Sequence, residues 1–313
     1  MQSGNKNFLL VLKSLITISC IAFLTLWIRD HVNIFYFPKK FNLIMALAAV
    51  VLMALNYYIE SIKWQKALQP LFRIKISTAF KGICIGIASS MLMPNRSGEF
   101  AGRMFVVPSA WRVQAAVLTI ISNMTQLLAT ILIGGIGMYF CFEKVVLKNI
   151  IQAKIAPGII ASVFWITIAL LISTILFYLV FVFAKKKIIK SWREVRKIKI
   201  NKSKVGYLFL LSTLRFLVFT IQFVLLLLSY AMPLPLLELV SASAATFFLI
   251  TSIPSFALVE LVARVGITSF VFSTLGGDGN SAAAAALLLW LINVALPSIA
   301  GLLFIWRIKS ERA

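Results

Sequence analysis

Five charged residues stand where the chain is otherwise apolar, and their types and spacing suit the binding of an anion. Arg96, Glu99 and Arg103 lie in "MPNRSGEFAGR", residues 93–103, and Glu260 and Arg264 lie in "IPSFALVELVAR", residues 253–264. Each stretch reads as a proline, a small polar residue, then Glu-x-x-x-Arg. On a helix, residues i and i+4 share a face, so Glu99 meets Arg103 and Glu260 meets Arg264. A charge in hydrocarbon costs about 2.5–3.5 kcal/mol, so five cost on the order of 10–15 kcal/mol, comparable to the stability of a whole domain. They are tolerable only if paired or if they line a wet cavity. Proline ends one half-helix and the residue after it caps the next, which makes Asn95 and Ser255 the expected N-caps. The free N–H groups and positive dipole end of the new half-helix suit a phosphate, and the planar fork of Arg96 suits it too. The expected substrate site is therefore Arg96, Glu99, Arg103, Glu260 and Arg264, with Asn95 and Ser97 beside them. Arg96 is the foremost ligand contact. Arg215 sits within an apolar run, and two readings stay open: it faces the same cavity, or it snorkels to the cytoplasm. Asn123, Gln126 and Asn293 read as interhelical hydrogen bonds.

These residues need a membrane scaffold. Of 313 residues, 61% are hydrophobic and 13% charged. Soluble domains run nearer a quarter charged. The mean hydropathy is +0.98. A helix needs about 20 apolar residues to cross about 30 Å of hydrocarbon. Six runs qualify, at 8–28, 41–60, 114–140, 159–184, 205–231 and 282–306. The first ends in "LTLWIRD" rather than a small-residue cleavage site, so it is expected to be a retained helix. Two further stretches, between Lys81 and Arg112 and between Glu238 and Asp278, are the ones broken by the five charges. The first holds 30 residues, too few for two crossings, and reads as a re-entrant hairpin. The second, with 39, reads as a hairpin or two short spans.

The predicted fold is thus an all-α polytopic membrane protein, 1–313 as one transmembrane domain, with six full spans and two re-entrant hairpins (or eight or more helices). The two motifs lie about half the chain apart, and each half reads span, span, hairpin, span. Three full crossings is an odd number, so halves of roughly 1–150 and 151–313 are oppositely oriented. That is the inverted-repeat pattern of transporters, with the substrate site at the repeat interface near the midplane. Residues 185–204 carry ten lysines and arginines, which argues that they and both termini are cytoplasmic. The loop 61–81, with Lys63, Lys66, Arg73, Lys75 and Lys81, is assigned to the same side. The weak points are Arg29, Lys39, Lys40, Lys144, Lys148 and Lys154, which fall outside. Within 185–204, Ile188, Ile189, Trp192, Val195 and Ile198 recur at helical spacing; an interfacial helix and a solvated basic loop both fit.

The net charge of +22 is accordingly read as contact with anionic lipid headgroups at the cytoplasmic face, not with nucleic acid. His31 is the one histidine and the three cysteines are scattered, which leaves no His-based metal site, Ser-His triad or disulfide framework. No cofactor is called for. The composition is compatible with a homo-oligomer.

At these residues the chain resembles the transmembrane region of lysylphosphatidylglycerol synthases, also called the flippase-like membrane domain. The resemblance is strongest in "IKWQKALQPLFRIKISTAFKGICIGIASSMLMPNRSGEFAGR", where Pro94, Arg96, Gly98, Glu99 and Arg103 match the family pattern. It departs at "PSFALVE", where the family usually has glycines, and at "SNMTQ", residues 122–126, where the family often has Glu-Arg and then Asp. The resemblance implies a bacterial or archaeal inner-membrane protein that moves polar lipids between leaflets. In full-length synthases a soluble domain makes the lipid; with no such domain here, this chain is not expected to make lysyl lipid itself. The leading expectation is a flippase-like transporter of a phosphate-bearing or aminoacylated lipid. The alternatives are an intramembrane lipid-modifying enzyme with Glu99 as base, and a membrane scaffold or accessory subunit whose charge pairs are only structural.

Overall fold

The computed structural model describes residues 38, 41–91, 97–152, 201–251 and 257–310. The expected spans 8–28 and 159–184, nearly all of the basic stretch 185–204, Arg29, Lys39, Lys40 and Lys154 lie outside them. Among the described residues the secondary structure is helical throughout. Helix α1 is Leu43–Leu68, α2 is Ile76–Ser90 and α3 is Ser97–Arg103. Two 3-10 turns, Met104–Val106 and Ser109–Trp111, lead into α4, Arg112–Gln152. Then come α5 (Lys202–Ser229), α6 (Leu236–Thr251), α7 (Ala257–Thr274) and α8 (Gly279–Trp290). A π-helical segment, Leu291–Ala295, joins α8 to α9, Leu296–Ser310.

The helix starts are written locally. Asn42 Oδ1 accepts the backbone N–H groups of Ile44 and Met45 at the head of α1. Asn201 does the same for Ser203 in α5, and Asp278 for Asn280 and Ser281 in α8. Each supplies an acceptor to donors that have no partner within the helix. Gly276 turns the chain between α7 and α8 with φ 89°, a conformation L side chains rarely adopt.

Four stretches are long and apolar enough to cross a membrane: Leu43–Leu68, Ser109–Lys144, Lys202–Ser229 and Gly279–Trp306. They overlap the expected runs at 41–60, 114–140, 205–231 and 282–306, with ends that shift by up to eight residues. Their outward faces are apolar. Leu210, Leu214, Leu217 and Ile221 along α5, and Leu296, Ile299, Leu303 and Trp306 along α9, recur at helical spacing and are all exposed. Hydrocarbon, not water, suits such faces. By contrast α2 and α6 have 15 and 16 residues, about 22 and 24 Å at 1.5 Å per residue, short of a full crossing. With α3 and α7 they form the two interrupted stretches of the sequence.

One boundary is corrected. The sequence reading places Lys63 in a cytoplasmic loop beginning at 61. Helix α1 instead continues to Leu68, and Lys63 is fully buried in it. An ion pair with Glu60 one turn earlier, at 2.9 Å, neutralises the charge and lets the helix run on. The irregular connection is confined to the residues between α1 and α2, and Lys81 belongs to α2. Trp64, likewise, sits inside α1, with its indole N–H donated to Thr119 Oγ1 of α4 at 2.9 Å.

Two apolar cores hold the bundle. One gathers Tyr57, Trp64, Leu68, Ala79, Ile83, Leu118 and neighbours from α1, α2 and α4. The other gathers Phe223, Leu227, Leu239, Ala245, Phe272 and Ala285 from α5 to α8. Glycines bring helices into close contact. A Cβ on Gly102 would stand 2.6 Å from Ile85 O and 2.7 Å from Gly86 Cα, so α3 lies directly on the backbone of α2. Gly134 and Gly137 of α4 meet the Ala244 region of α6 in the same way.

Candidate functional site

Between these cores lies a cavity of about 520 Å³. Its lining comes from both halves of the chain: Glu60, Glu99, Arg103 and Gln126 from the first, and Arg215, Glu260, Arg264 and Asn293 from the second. Apolar residues such as Ile83, Phe219, Phe247 and Trp290 complete the wall. The expected residues Glu99, Arg103, Glu260, Arg264 and Arg215 therefore face one hollow. Arg96 and Asn95 lie outside the described residues, as do Pro94, Pro254 and Ser255, while Ser97 is the first residue of α3.

Helices α3 and α7 each bring their own ion pair. Arg103 Nη2 donates to Glu99 Oε1 at 2.5 Å, and Arg264 Nη2 donates to Glu260 Oε1 at 3.0 Å. Both are the i,i+4 pairs read from the sequence. Each glutamate also lies in the first turn of its helix, where a negative charge complements the dipole. Arg103 stacks 5.5 Å over the Trp64 ring and Arg264 lies 5.9 Å from the Phe219 ring, so an aromatic face backs each guanidinium.

The hub of the first half is a residue that the sequence reading passed over. Glu60 of α1 is 1% exposed and touches three cations. Its Oε1 accepts from Arg103 Nη2 at 2.8 Å. Its Oε2 lies 2.9 Å from Lys63 Nζ and 3.1 Å from Arg215 Nη1. The open choice for Arg215 resolves toward the cavity: Nε donates to Asn56 Oδ1 at 2.8 Å and Nη1 to Gln126 Oε1 at 3.4 Å. Lys63 Nζ donates to the same Gln126 oxygen at 3.3 Å. Gln126 also donates to Ser212 O across to α5, at 3.3 Å. It thus bridges helices, as expected, but it lines the cavity as well, and so do Asn123 and Asn293. The signal that could have found Glu60 is its place at the end of an apolar run with Lys63 three residues on. Its pairing with Arg103 and Arg215, 43 and 155 positions away, left no trace in spacing.

Among the described residues the cavity lining holds Arg103, Arg215 and Arg264 against Glu60, Glu99 and Glu260, and with Lys63, fully buried against Glu60 and not itself in the lining, the whole charged cluster counts four positive groups to three negative. One positive charge is in surplus. Arg103 is 1% exposed, yet its Nε and Nη1 have no hydrogen-bond partner among the described residues. A buried guanidinium with two unused donors is suited to a carboxylate or phosphate oxygen. No group of three or more His, Cys, Asp or Glu side chains is placed to hold a metal among the described residues.

The family model described as the lysylphosphatidylglycerol synthase TM region matches residues 10–301. No curated protein matches the chain, and no solved structure does.

Proposed function

Because the chain belongs to the lysylphosphatidylglycerol synthase transmembrane-region family, whose members are multi-pass membrane proteins related to lipid modification and transport, we propose that it moves a polar lipid between leaflets through the charged cavity. The observation that carries this reading is the meeting of Arg103, Arg215 and Arg264 with Glu60, Glu99 and Glu260 around one cavity lined from both halves of the chain. An anionic, phosphate-bearing headgroup suits the arginines, and Glu99 or Glu260 suits the ammonium of an aminoacylated one. At about 520 Å³ the hollow falls within the usual range of ligand sites. Arg96, with Asn95 and Ser97, keeps from the sequence alone its standing as an expected headgroup contact.

The two halves act as oppositely oriented repeats, with both termini in the cytoplasm of a bacterium or archaeon. The order long helix, interrupted stretch, long helix occurs in both halves, at 43–152 and at 202–310, and supports that reading. Rocking of one repeat against the other then exposes the headgroup site to each leaflet in turn.

The test is reconstitution in liposomes containing a headgroup-amine phospholipid, probed with a membrane-impermeant amine reagent. Wild type exposes the inner-leaflet pool faster than protein-free liposomes. Arg96→Ala, Arg215→Gln and Arg264→Gln slow that exposure at least tenfold while remaining monodisperse in detergent. Equal rates for wild type and all three variants, or no rate above protein-free liposomes, overturn the reading. A Glu99→Arg, Arg103→Glu double swap that keeps the wild-type rate marks that pair as purely structural.

A further inference from the structure

A second hollow, about 550 Å³, lies on the other side of Tyr57. It is a groove lined by Met53, Tyr58, Phe80, Cys84, Leu296 and Ala300, among others, and is almost wholly apolar. Of its two serines, Ser61 donates its hydroxyl to Tyr57 O at 2.7 Å. Tyr58, Phe80 and Leu296 are 53%, 38% and 50% exposed, so the groove opens on the outer surface of helices that suit hydrocarbon.

Groove and charged cavity share one described residue, Tyr57. The elements between them are shared as well. Helix α1 turns Asn56 and Glu60 to the cavity and Met53 to the groove. Helix α2 turns Ile83 and Ile87 to the cavity, Phe80 and Cys84 to the groove. The last spanning stretch turns Asn293 and Val294 to the cavity, Leu296 and Pro297 to the groove.

The seam between the hollows is a weak point in that last stretch. Pro297 has no N–H and stands four residues after Asn293, so the Asn293 carbonyl has no donor from that position. The backbone is π-helical through Leu291–Ala295, the kind of insertion that often marks a functional site. The donor comes from outside the helix: Tyr57 Oη donates to the Asn293 carbonyl oxygen.

We propose that the groove holds a hydrocarbon chain of the same lipid whose headgroup enters the charged cavity, and that the Tyr57–Asn293 hydrogen bond is the gate between the two. The proposal rests on the transport reading. An amphipathic molecule has its charged and apolar ends a few atoms apart, and a site for both needs a polar and an apolar hollow with a common wall. A chain leaving the bilayer for the groove exchanges one apolar surrounding for another, so little affinity is gained. The groove instead sets where the headgroup sits. Opening the seam exchanges one hydroxyl–carbonyl bond at a segment that lacks a regular helical ladder.

The test uses the full chain in phosphatidylglycerol vesicles doped with a phosphatidylethanolamine that carries a diazirine midway along one acyl chain, so that the impermeant amine reagent reads its headgroup. After photolysis, adducts are mapped by peptide mass spectrometry, and headgroup movement is measured on the same samples. Wild type is expected to label at Met53, Phe80 and Ala300 above the level at outward-facing Val51 and Leu303. Ala300→Phe fills the groove and lowers labelling there at least fivefold without changing Val51 or Leu303. Ala54→Leu, on the facing wall, gives a smaller loss and serves if the phenylalanine variant fails to fold. Tyr57→Phe keeps the ring but not the donor, and changes the rate of headgroup movement at least threefold with groove labelling retained. Groove labelling no higher than at Val51, or unaffected by both filling variants, overturns the proposal, as does a Tyr57→Phe rate equal to wild type. Wild type that moves no headgroup while the groove still labels selectively refutes transport alone. Movement without selective labelling refutes the groove alone.

Discussion

Glu60 is the residue whose loss should be felt most. It is buried and faces Arg103 at 2.8 Å, Lys63 at 2.9 Å and Arg215 at 3.1 Å. Glu60→Gln keeps the volume and one acceptor oxygen but removes the charge. Among the described residues the local surplus then rises from one positive charge to two, and Lys63 and Arg103 stay desolvated without their common counter-ion. Breaking a buried ion pair by removing one partner costs about 3–5 kcal/mol. At about 2–4 °C per kcal/mol, the midpoint of thermal unfolding falls by about 6–20 °C. The excess should come back when a cation is removed as well. Lys63→Met keeps the apolar stem of a fully buried side chain and, combined with Glu60→Gln, restores the original balance. The double variant is expected to unfold within a few degrees of wild type, which makes the coupling between the sites at least as large as the loss in the single variant, about 3–5 kcal/mol. The assay is thermal unfolding in detergent micelles followed by tryptophan fluorescence. A Glu60→Gln protein that melts with wild type, or a double variant no more stable than the single one, refutes the claim that Glu60 holds the three cations together.

Two further outcomes concern the frame of the site. Gly102→Ala puts a Cβ 2.6 Å from Ile85 O and should cost about 1–3 kcal/mol by forcing α3 off α2, whereas Gly206→Ala, in open space within α5, should leave stability unchanged or raise it by up to about 1 kcal/mol; chemical-denaturant midpoints compare the two. Thr119→Val removes the acceptor of the buried Trp64 indole and should lower stability by about 1–3 kcal/mol, while Thr119→Ser restores it, again by denaturant midpoint.

The apolar runs were legible because bilayer thickness dictates length: four stretches long and apolar enough to span stand where about 20 largely apolar residues run together. The pairs Glu99–Arg103 and Glu260–Arg264 were legible because helical geometry alone brings i and i+4 together. Lys63 was misplaced because a lysine near the end of an apolar run looks like a loop charge until its counter-ion is seen. Arg215 stayed ambiguous for the same reason, and only Asn56, Gln126 and Glu60 around it assign it to the cavity. Tyr57 carried no mark at all: its role comes from the proline-interrupted carbonyl of Asn293, 236 positions away.

By itself, then, the amino-acid order determined which segments are helical and apolar and which charges sit one turn apart, since both follow from short-range geometry and the thickness of the membrane. Only the tertiary structure decided that Glu60 gathers Lys63, Arg103 and Arg215, and that Tyr57 stands between a charged hollow and an apolar one. Those arrangements depend on which helix faces meet, and meetings between residues far apart in the chain are set by packing of the whole bundle, which no local spacing records.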